Sequence, residues 1–271
     1  MPELPEVETL KNALLPLVRH QVLEDIHFHR SNLRYPIPIA DLNERFKGRR
    51  IDNVLRKGKY ILFQAETGAM ILHLGMSGRV TQSHSAEAKE KHTHIVFKFQ
   101  SNLYLHFVDP RRFGCVAWAP ENKGHPLLDR LGVDPMTPEL TAQAMKTLAK
   151  GCTASIKSFL MDSHRLAGVG NIYACESLFR SGIRPTSPAG RVSLKRWERL
   201  VAELRFVLQQ SIDAGGSTLR DFFNADGEPG YYSTQFCVYG KEKQACPQCS
   251  FPITRITQTG RSTFYCKKCQ K

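Results

Sequence analysis

The chain has 271 residues, with 38 Lys and Arg against 25 Asp and Glu, a net charge of +13. That length suits two or three small domains with a real core, and the positive excess favours a polyanionic partner. No stretch approaches the roughly 18 apolar residues of a membrane span. The acidic N-terminus has neither the basic nor the apolar region of a signal peptide, so the expected location is the cytoplasm or nucleoid.

The opening residues, MPELPEVETL, read as the start of a helix. Pro5 suits a first helical turn, where its missing N–H leaves nothing unsatisfied. Val7, Leu10, Leu14 and Leu17 then share one face. Glu3, Glu6 and Glu8 lie at or before the positive helix end, and Glu8 reads as an ordinary complement to the helix dipole. Pro2 is different. Loss of Met1, expected when a small residue follows, exposes a secondary amine beside a helix N-terminus. The positive helix end disfavours the protonated amine. The neutral amine is a nucleophile that forms an iminium at a carbonyl or a sugar C1′, with an adjacent carboxyl to pass protons.

Short β-branched and aromatic runs follow at 51–64, 69–81, 94–100 and 103–108, separated by turn residues. They predict an antiparallel sandwich or barrel ending near Pro120. From about Leu131 the period becomes helical. TPELTAQAMKTLAK predicts a helix capped at Thr137-Pro138-Glu139, followed by helices in SIKSFLMD, NIYACESLFRSG and SLKRWERLVAELRFVLQQSIDAGG. Ser193 caps the last, and Gly215-Gly216 stop it. Residues 217–235 are polar, aperiodic and glycine-bearing, and read as a mobile loop.

Cys115, Cys152, Cys175 and Cys237 are scattered, and read as reduced, buried, small hydrophobes. The other four cysteines are different. Cys246, Cys249, Cys266 and Cys269 form C-x2-C-x16-C-x2-C in a tail with seven Lys/Arg and one acid. Two such knuckles supply four thiolates to one tetrahedral zinc ion, and a filled ligand set makes the zinc structural. Between them, Thr-Gly-Arg predicts a hairpin turn with Arg261 at its tip, where a phosphate contact and a solvated charge are equal readings.

PELPEVET, LGMSG (74–78), DPRRFG (109–114), GVGNIYA (168–174) and the zinc module occur in that order. Together they identify the chain as resembling formamidopyrimidine-DNA glycosylase over essentially its full length. The resemblance implies an α+β multidomain fold: an N-terminal two-layered β-sandwich with flanking helices (1–130), a helix–two-turns–helix domain with a lesion-binding loop (131–235) and a C-terminal zinc ribbon (236–271). It implies a monomeric enzyme acting on double-stranded DNA that contains oxidised purines or abasic sites. The base is excised, and the strand is then cut by β- and δ-elimination.

Roles follow from the same resemblance. Pro2 is the nucleophile at C1′, Glu3 the acid that opens the sugar ring and Glu6 its hydrogen-bonding support. Lys59 donates a proton in β-elimination and touches phosphate, and Arg261 serves δ-elimination and clamps phosphates. Met76, Arg111 and Phe113 fill the hole left by a flipped base, with Arg111 on the orphaned cytosine. Read alone, Met76 and Phe113 are core side chains, and only the resemblance reverses that. His92, Lys157 and Asn171 match backbone-contacting positions, while His94 has no role. Tyr239 supports the region near the ribbon, and Arg220 lies in the loop over the flipped base. Thr153 stands where relatives often carry Lys or Arg.

Three alternatives remain in view. Endonuclease VIII-type enzymes share the architecture but favour oxidised pyrimidines; they typically begin PEGPE and lack DPRRFG. A non-catalytic zinc-ribbon DNA-binding protein needs neither Pro2 with Glu3 nor Lys59. N-terminal-proline tautomerases are short chains without a zinc tail.

Overall fold

The computed structural model describes residues 2–87, 90–121, 124–216 and 232–271. Met1, Arg220 and most of the expected loop at 217–235 lie outside the described residues. The chain divides into two compact units, Met1–Asp129 with Ile212–Ser233, and Arg130–Ser211 with Thr234–Lys271.

The first unit begins with α1 (Leu4–Val18), β1 (Val22–Phe28), α2 (Ile39–Phe46), β2 (Arg49–Arg50), β3 (Asn53–Lys57) and β4 (Tyr60–Ala65). It continues through β5 (Gly68–His73), β6 (Arg79–Ser83), β7 (Thr93–Phe99), β8 (Tyr104–Val108), β9 (Cys115–Pro120) and α3 (Pro126–Asp129). Two antiparallel sheets result, in the orders β2-β1-β7-β8-β6 and β3-β4-β5-β9. The apolar run at 51–64 therefore folds as two strands, because Gly58 turns the chain at a positive φ of 59°. The run at 69–81 also splits. The LGMSG turn carries the chain from one sheet into the other, so β5 and β6 are not partners.

Packing explains these strands. Leu10, Leu14 and Val18 of α1 join Phe46, Phe63, Phe97 and Phe107 in one buried cluster. Each such side chain contributes about 1.5–3 kcal/mol on leaving water. Val18, rather than Leu17, completes the buried face of α1.

In the second unit lie α4 (Ala142–Leu148), α5 (Ile156–Leu160), α6 (Asn171–Arg180), most of α7 (Leu194–Asp213) and the hairpin β10 (Thr254–Gln258) and β11 (Arg261–Tyr265). The cap of α4 is Thr141, whose hydroxyl accepts from the Ala144 N–H at 3.0 Å. The helix expected from Thr137 thus starts later. The carbonyls of Pro135, Thr137 and Leu140 accept hydrogen bonds from the Arg205 guanidinium, which holds that stretch as turns. The zinc module shares its apolar side with α6: Cys175 and Phe179 pack with Val238, Ile253 and Phe264. Among the described residues no helix is long and apolar enough to cross a membrane.

Cys115 and Cys175 are buried as expected, but Cys152 and Cys237 are only partly so. Cys152 Sγ accepts from the Arg165 guanidinium at 3.1 Å, a polar interaction that a purely apolar filler would not need.

Candidate active site and nucleic-acid interface

Pro2 is buried and directly precedes Glu3, which takes the N-cap position of α1. Glu3 and Glu6 are each only 2 % exposed. Glu6 reaches back one turn, and its Oε2 accepts from the Glu3 N–H at 2.8 Å. Helix geometry brings residue i+3 over residue i, so the cap fixes the backbone on which Pro2 and Glu3 sit. The left-handed Gly216, φ 88°, lies against this corner; a Cβ there would stand 3.4 Å from Glu6 Cγ.

Glu8 does more than complement the helix dipole. It pairs with Lys11 at 2.8 Å and with Arg56 of β3 at 2.5 Å. Burial opposes its ionisation, but the hydrogen bonds from Lys11 and Arg56 outweigh that and hold its carboxyl below the ordinary value. Arg56 also donates to the Gly58 carbonyl at 3.1 Å. One guanidinium therefore ties α1 to the turn that carries Lys59, which is half-buried there.

His73, at the end of β5, belongs to this neighbourhood and was not singled out from the sequence. Its ring lies 4.8 Å from that of Tyr60, and its Nδ1 accepts the Gly75 N–H at 3.0 Å. Burial, then the charges of Lys59 and Arg34, depress its pKa from 6.5 to about 4. His73 is therefore neutral at pH 7, with its proton on Nε2. In the unfolded chain the imidazole protonates first, so stability is full above pH 6.5 and is lost as pH falls toward 4. The expected loss is about 3 kcal/mol. Urea unfolding across this range measures it, and His73→Gln should flatten the slope. Glu8 adds a separate acid loss below its ordinary value of 4.5.

The LGMSG and DPRRFG turns meet at Asp109, which is fully buried. Asp109 Oδ1 accepts from Ser77 Oγ at 2.9 Å and from the Arg111 N–H at 3.3 Å, and Oδ2 accepts from the Gly114 N–H at 2.8 Å. A Cβ on Gly75 would come within 2.4 Å of the Phe113 carbonyl carbon, so only glycine lets the turns press together. The result projects Met76 and Phe113 outward, 37 % and 43 % exposed, with the Arg111 guanidinium 5.0 Å over the Phe113 ring. These three are surface groups on one rigid support, not core. His92 is partly buried, and its carbonyl accepts the Asp109 N–H at 3.0 Å. His94 has a structural role: its buried Nε2 lies 2.8 Å from the Asp109 carbonyl oxygen.

In the second unit, Gly170 caps α6 and Asn171 is its first residue. Asn171 Nδ2 donates to the Ser262 carbonyl at 2.9 Å and lies 3.5 Å from Tyr239 Oη. Lys157, expected on a phosphate, is 1 % exposed and turned inward. Its ammonium donates to the same Ser262 carbonyl at 3.1 Å and to Thr263 Oγ1 at 2.6 Å. A buried cation needs acceptors, and β11 supplies them. Both side chains thus pin the residue next to Arg261. Arg261 itself is exposed and opens β11 after a two-residue turn, Thr259-Gly260, with both φ angles positive (47° and 73°). That is the usual primed hairpin geometry.

Glu176, on α6, was also not anticipated. It is 2 % exposed and accepts the backbone N–H groups of Cys237, Val238 and Tyr239 at 2.8–2.9 Å. It anchors the segment entering the zinc module and places Tyr239, whose ring meets Phe264 edge-on at 5.2 Å. Glu176→Ala strands three backbone donors, the Val238 N–H among them buried, and is expected to cost about 2–4 kcal/mol, measurable by urea unfolding; a change below about 1 kcal/mol contradicts the assignment.

The four thiols of Cys246, Cys249, Cys266 and Cys269 all lie within 4.8 Å of one another. Tetrahedral thiolates around zinc stand about 3.8 Å apart. The observed Cys249–Cys266 and Cys246–Cys269 separations are 3.5 and 3.9 Å. The donor set fits one structural zinc ion, with no coordination position left for water.

Family models match along the chain: the formamidopyrimidine-DNA glycosylase N-terminal domain at 1–116, its H2TH domain at 131–223 and the zinc finger found in FPG and IleRS at 243–271. The chain belongs to the formamidopyrimidine-DNA glycosylase family. A formamidopyrimidine-DNA glycosylase from Methylococcus capsulatus is 43 % identical, with both chains covered in full. The crystal structure of the MutM (FPG) protein of Thermus thermophilus matches with a TM-score of 0.88 at 38 % identity, covering 99 % of this chain and 98 % of that one. A MutM complex with DNA containing carbocyclic 8-oxo-G matches at 0.90 and 30 % identity, with both chains covered in full. The sandwich, the helical domain and the zinc finger expected from the sequence are the architecture of this family.

Proposed function

We propose that this chain is a base-excision repair DNA glycosylase for oxidised purines that also cuts the strand at the resulting abasic site. The observation that carries the reading is the buried Glu3–Glu6 arrangement around Pro2 at the head of α1. A basic DNA-binding protein gains nothing from burying two carboxylates at its terminus; a terminal amine nucleophile needs them.

With Met1 removed, the Pro2 nitrogen attacks C1′, and the bond from C1′ to the base breaks. The base leaves with the proton that the Pro2 nitrogen sheds on bonding to C1′, Glu3 protonates O4′ as the ring opens, and the freed nitrogen lone pair completes the iminium. Loss of a C2′ proton and the 3′ phosphate is β-elimination, with Lys59 supplying a proton. Loss of the C4′ proton and of the 5′ phosphate, with Arg261 on the leaving group, is δ-elimination, and water then releases the sugar remnant from the Pro2 nitrogen. Glu6 holds the Glu3 backbone, and Lys157 and Asn171 hold Ser262 so that Arg261 keeps its place. Met76, Arg111 and Phe113 occupy the space of the flipped base, and His92 and Tyr239 steady the backbone-binding surfaces. Zinc supplies a tetrahedral crosslink and no chemistry.

The work divides among residues 1–130, 131–235 and 236–271, on a monomer acting on double-stranded DNA in the bacterial cytoplasm, at the nucleoid. The test is incision of duplexes carrying 8-oxoguanine opposite cytosine or an oxidised pyrimidine. The reading expects faster excision of the purine and products with phosphate at both ends of the gap. Preference for the pyrimidine moves the chain to the endonuclease VIII type. Tight binding without incision makes it a binding protein.

A further inference from the structure

Residues 31–37 form a closed tip beside the DPRRFG turn. Ile37 N–H donates to the Ser31 carbonyl at 2.9 Å, Leu33 N–H donates to the Tyr35 carbonyl at 3.0 Å, and Asn32 bridges to Pro36. The tip is fastened to the turn by the Arg34 N–H, which donates to the Gly114 carbonyl at 3.1 Å. Between the two runs a groove of about 570 Å³, lined by Arg34, Tyr35, Arg111, Arg112 and Phe113 among others. The groove is open to solvent along much of its length, as a surface that takes a strand must be.

The chemistry of the groove is that of a nucleic-acid strand. None of its three guanidiniums has a carboxylate partner among the described residues. The aromatic rings lie under cations: Arg34 stands 5.3 Å over Tyr35 and Arg111 5.0 Å over Phe113. Tyr35 is 45 % exposed, a large ring carried on the hydrogen-bonded tip. Arg112 adopts a left-handed φ of 58°, held by its N–H on the Asp109 carbonyl at 3.2 Å. Such a conformation in a long side chain is uncommon, and it puts two consecutive arginines on the rim of one groove. Free cations beside exposed aromatic faces are the pattern of single-strand recognition.

We propose that this groove binds a nucleotide of the strand opposite the lesion, with its phosphate on Arg34 and Arg112 and its base or sugar against Tyr35. The assignment rests on the glycosylase reading, which puts Arg111 on the orphaned base. The groove is continuous with Arg111, so the next unit of that strand meets Arg34 and Tyr35. The site holds the opposite strand taut while the damaged nucleotide leaves the stack.

The test is a scan of neutral methylphosphonate linkages, one at a time, in each strand of an 8-oxoguanine:cytosine duplex. Dissociation constants are measured for the wild type, Arg34→Ala/Arg112→Ala and Tyr35→Ala. One or two neutral linkages in the opposite strand should weaken the wild type, and the arginine variant should be insensitive to the same linkages. Its salt slope should fall by about 1 for each phosphate that the protein no longer neutralises. Tyr35→Ala should bind roughly 5- to 150-fold more weakly, and Tyr35→Phe should restore binding. Coupling found only in the lesion strand, or in neither strand, overturns the proposal. Wild-type incision of the unmodified duplex is scored in parallel, so failure of the glycosylase reading shows separately. If the arginine variant unfolds, the wild-type scan and the Tyr35 pair still decide.

Discussion

Changing Glu3 to Gln is expected to slow excision of 8-oxoguanine by about two to four orders of magnitude, the range of a lost general acid. Gln keeps the size of the side chain and its fit in a site 2 % exposed, so the effect belongs to the proton. Strand cleavage at a preformed abasic site should fall far less, since an abasic sugar already opens to its aldehyde without help. Single-turnover rates on the two substrates separate the cases. Equal losses on both would assign Glu3 to the amine or the fold instead of ring opening. No loss on either would remove it from the mechanism.

The second large effect concerns the cysteine cluster. Cys266 is fully buried, and its thiol meets that of Cys249 at 3.5 Å. Cys266→Ser should abolish stoichiometric zinc, whose binding in such modules contributes about 10–16 kcal/mol at neutral pH. The hairpin that presents Arg261 is short, and its apolar side is shared with Cys175 and Phe179 of α6. Without zinc the hairpin should lose its register. The Ser262 carbonyl then leaves Asn171 and Lys157, and lesion-DNA affinity should fall by roughly 100-fold or more, as removal of several phosphate-binding groups implies. Zinc content, hairpin protection from hydrogen exchange and DNA titration read these outcomes. Full affinity in a zinc-free variant would mean that the ribbon does not hold DNA.

Much of this was legible in the residues, for reasons that differ by place. The four cysteines act through their spacing, and the structure brings their thiols together as the spacing predicts. Most of the α1 face was legible because helical period largely decides what it buries, with Val18 instead of Leu17 at its end. Strand runs were visible, but their division was not. Gly58 and the LGMSG turn break two apolar runs, and apolarity does not show which sheet a strand joins. Asp109, Glu176 and His73 were missed because single polar residues carry no periodicity, and their importance comes from partners distant in the chain. Glu176 takes three N–H groups from residues 237–239. Lys157 is a related case: the resemblance matched it to a phosphate-contacting position, and its burial against acceptors on β11 was not legible because those partners lie over a hundred residues away in the chain.

The central claim is that the chain terminus is the nucleophile. Borohydride trapping on an 8-oxoguanine:cytosine duplex, followed by mass spectrometry of the crosslinked peptide, tests it most directly. The account predicts one adduct, on the Pro2 nitrogen of a chain that lacks Met1. A crosslink at a lysine, or none from a processed chain that binds the duplex tightly, would contradict it.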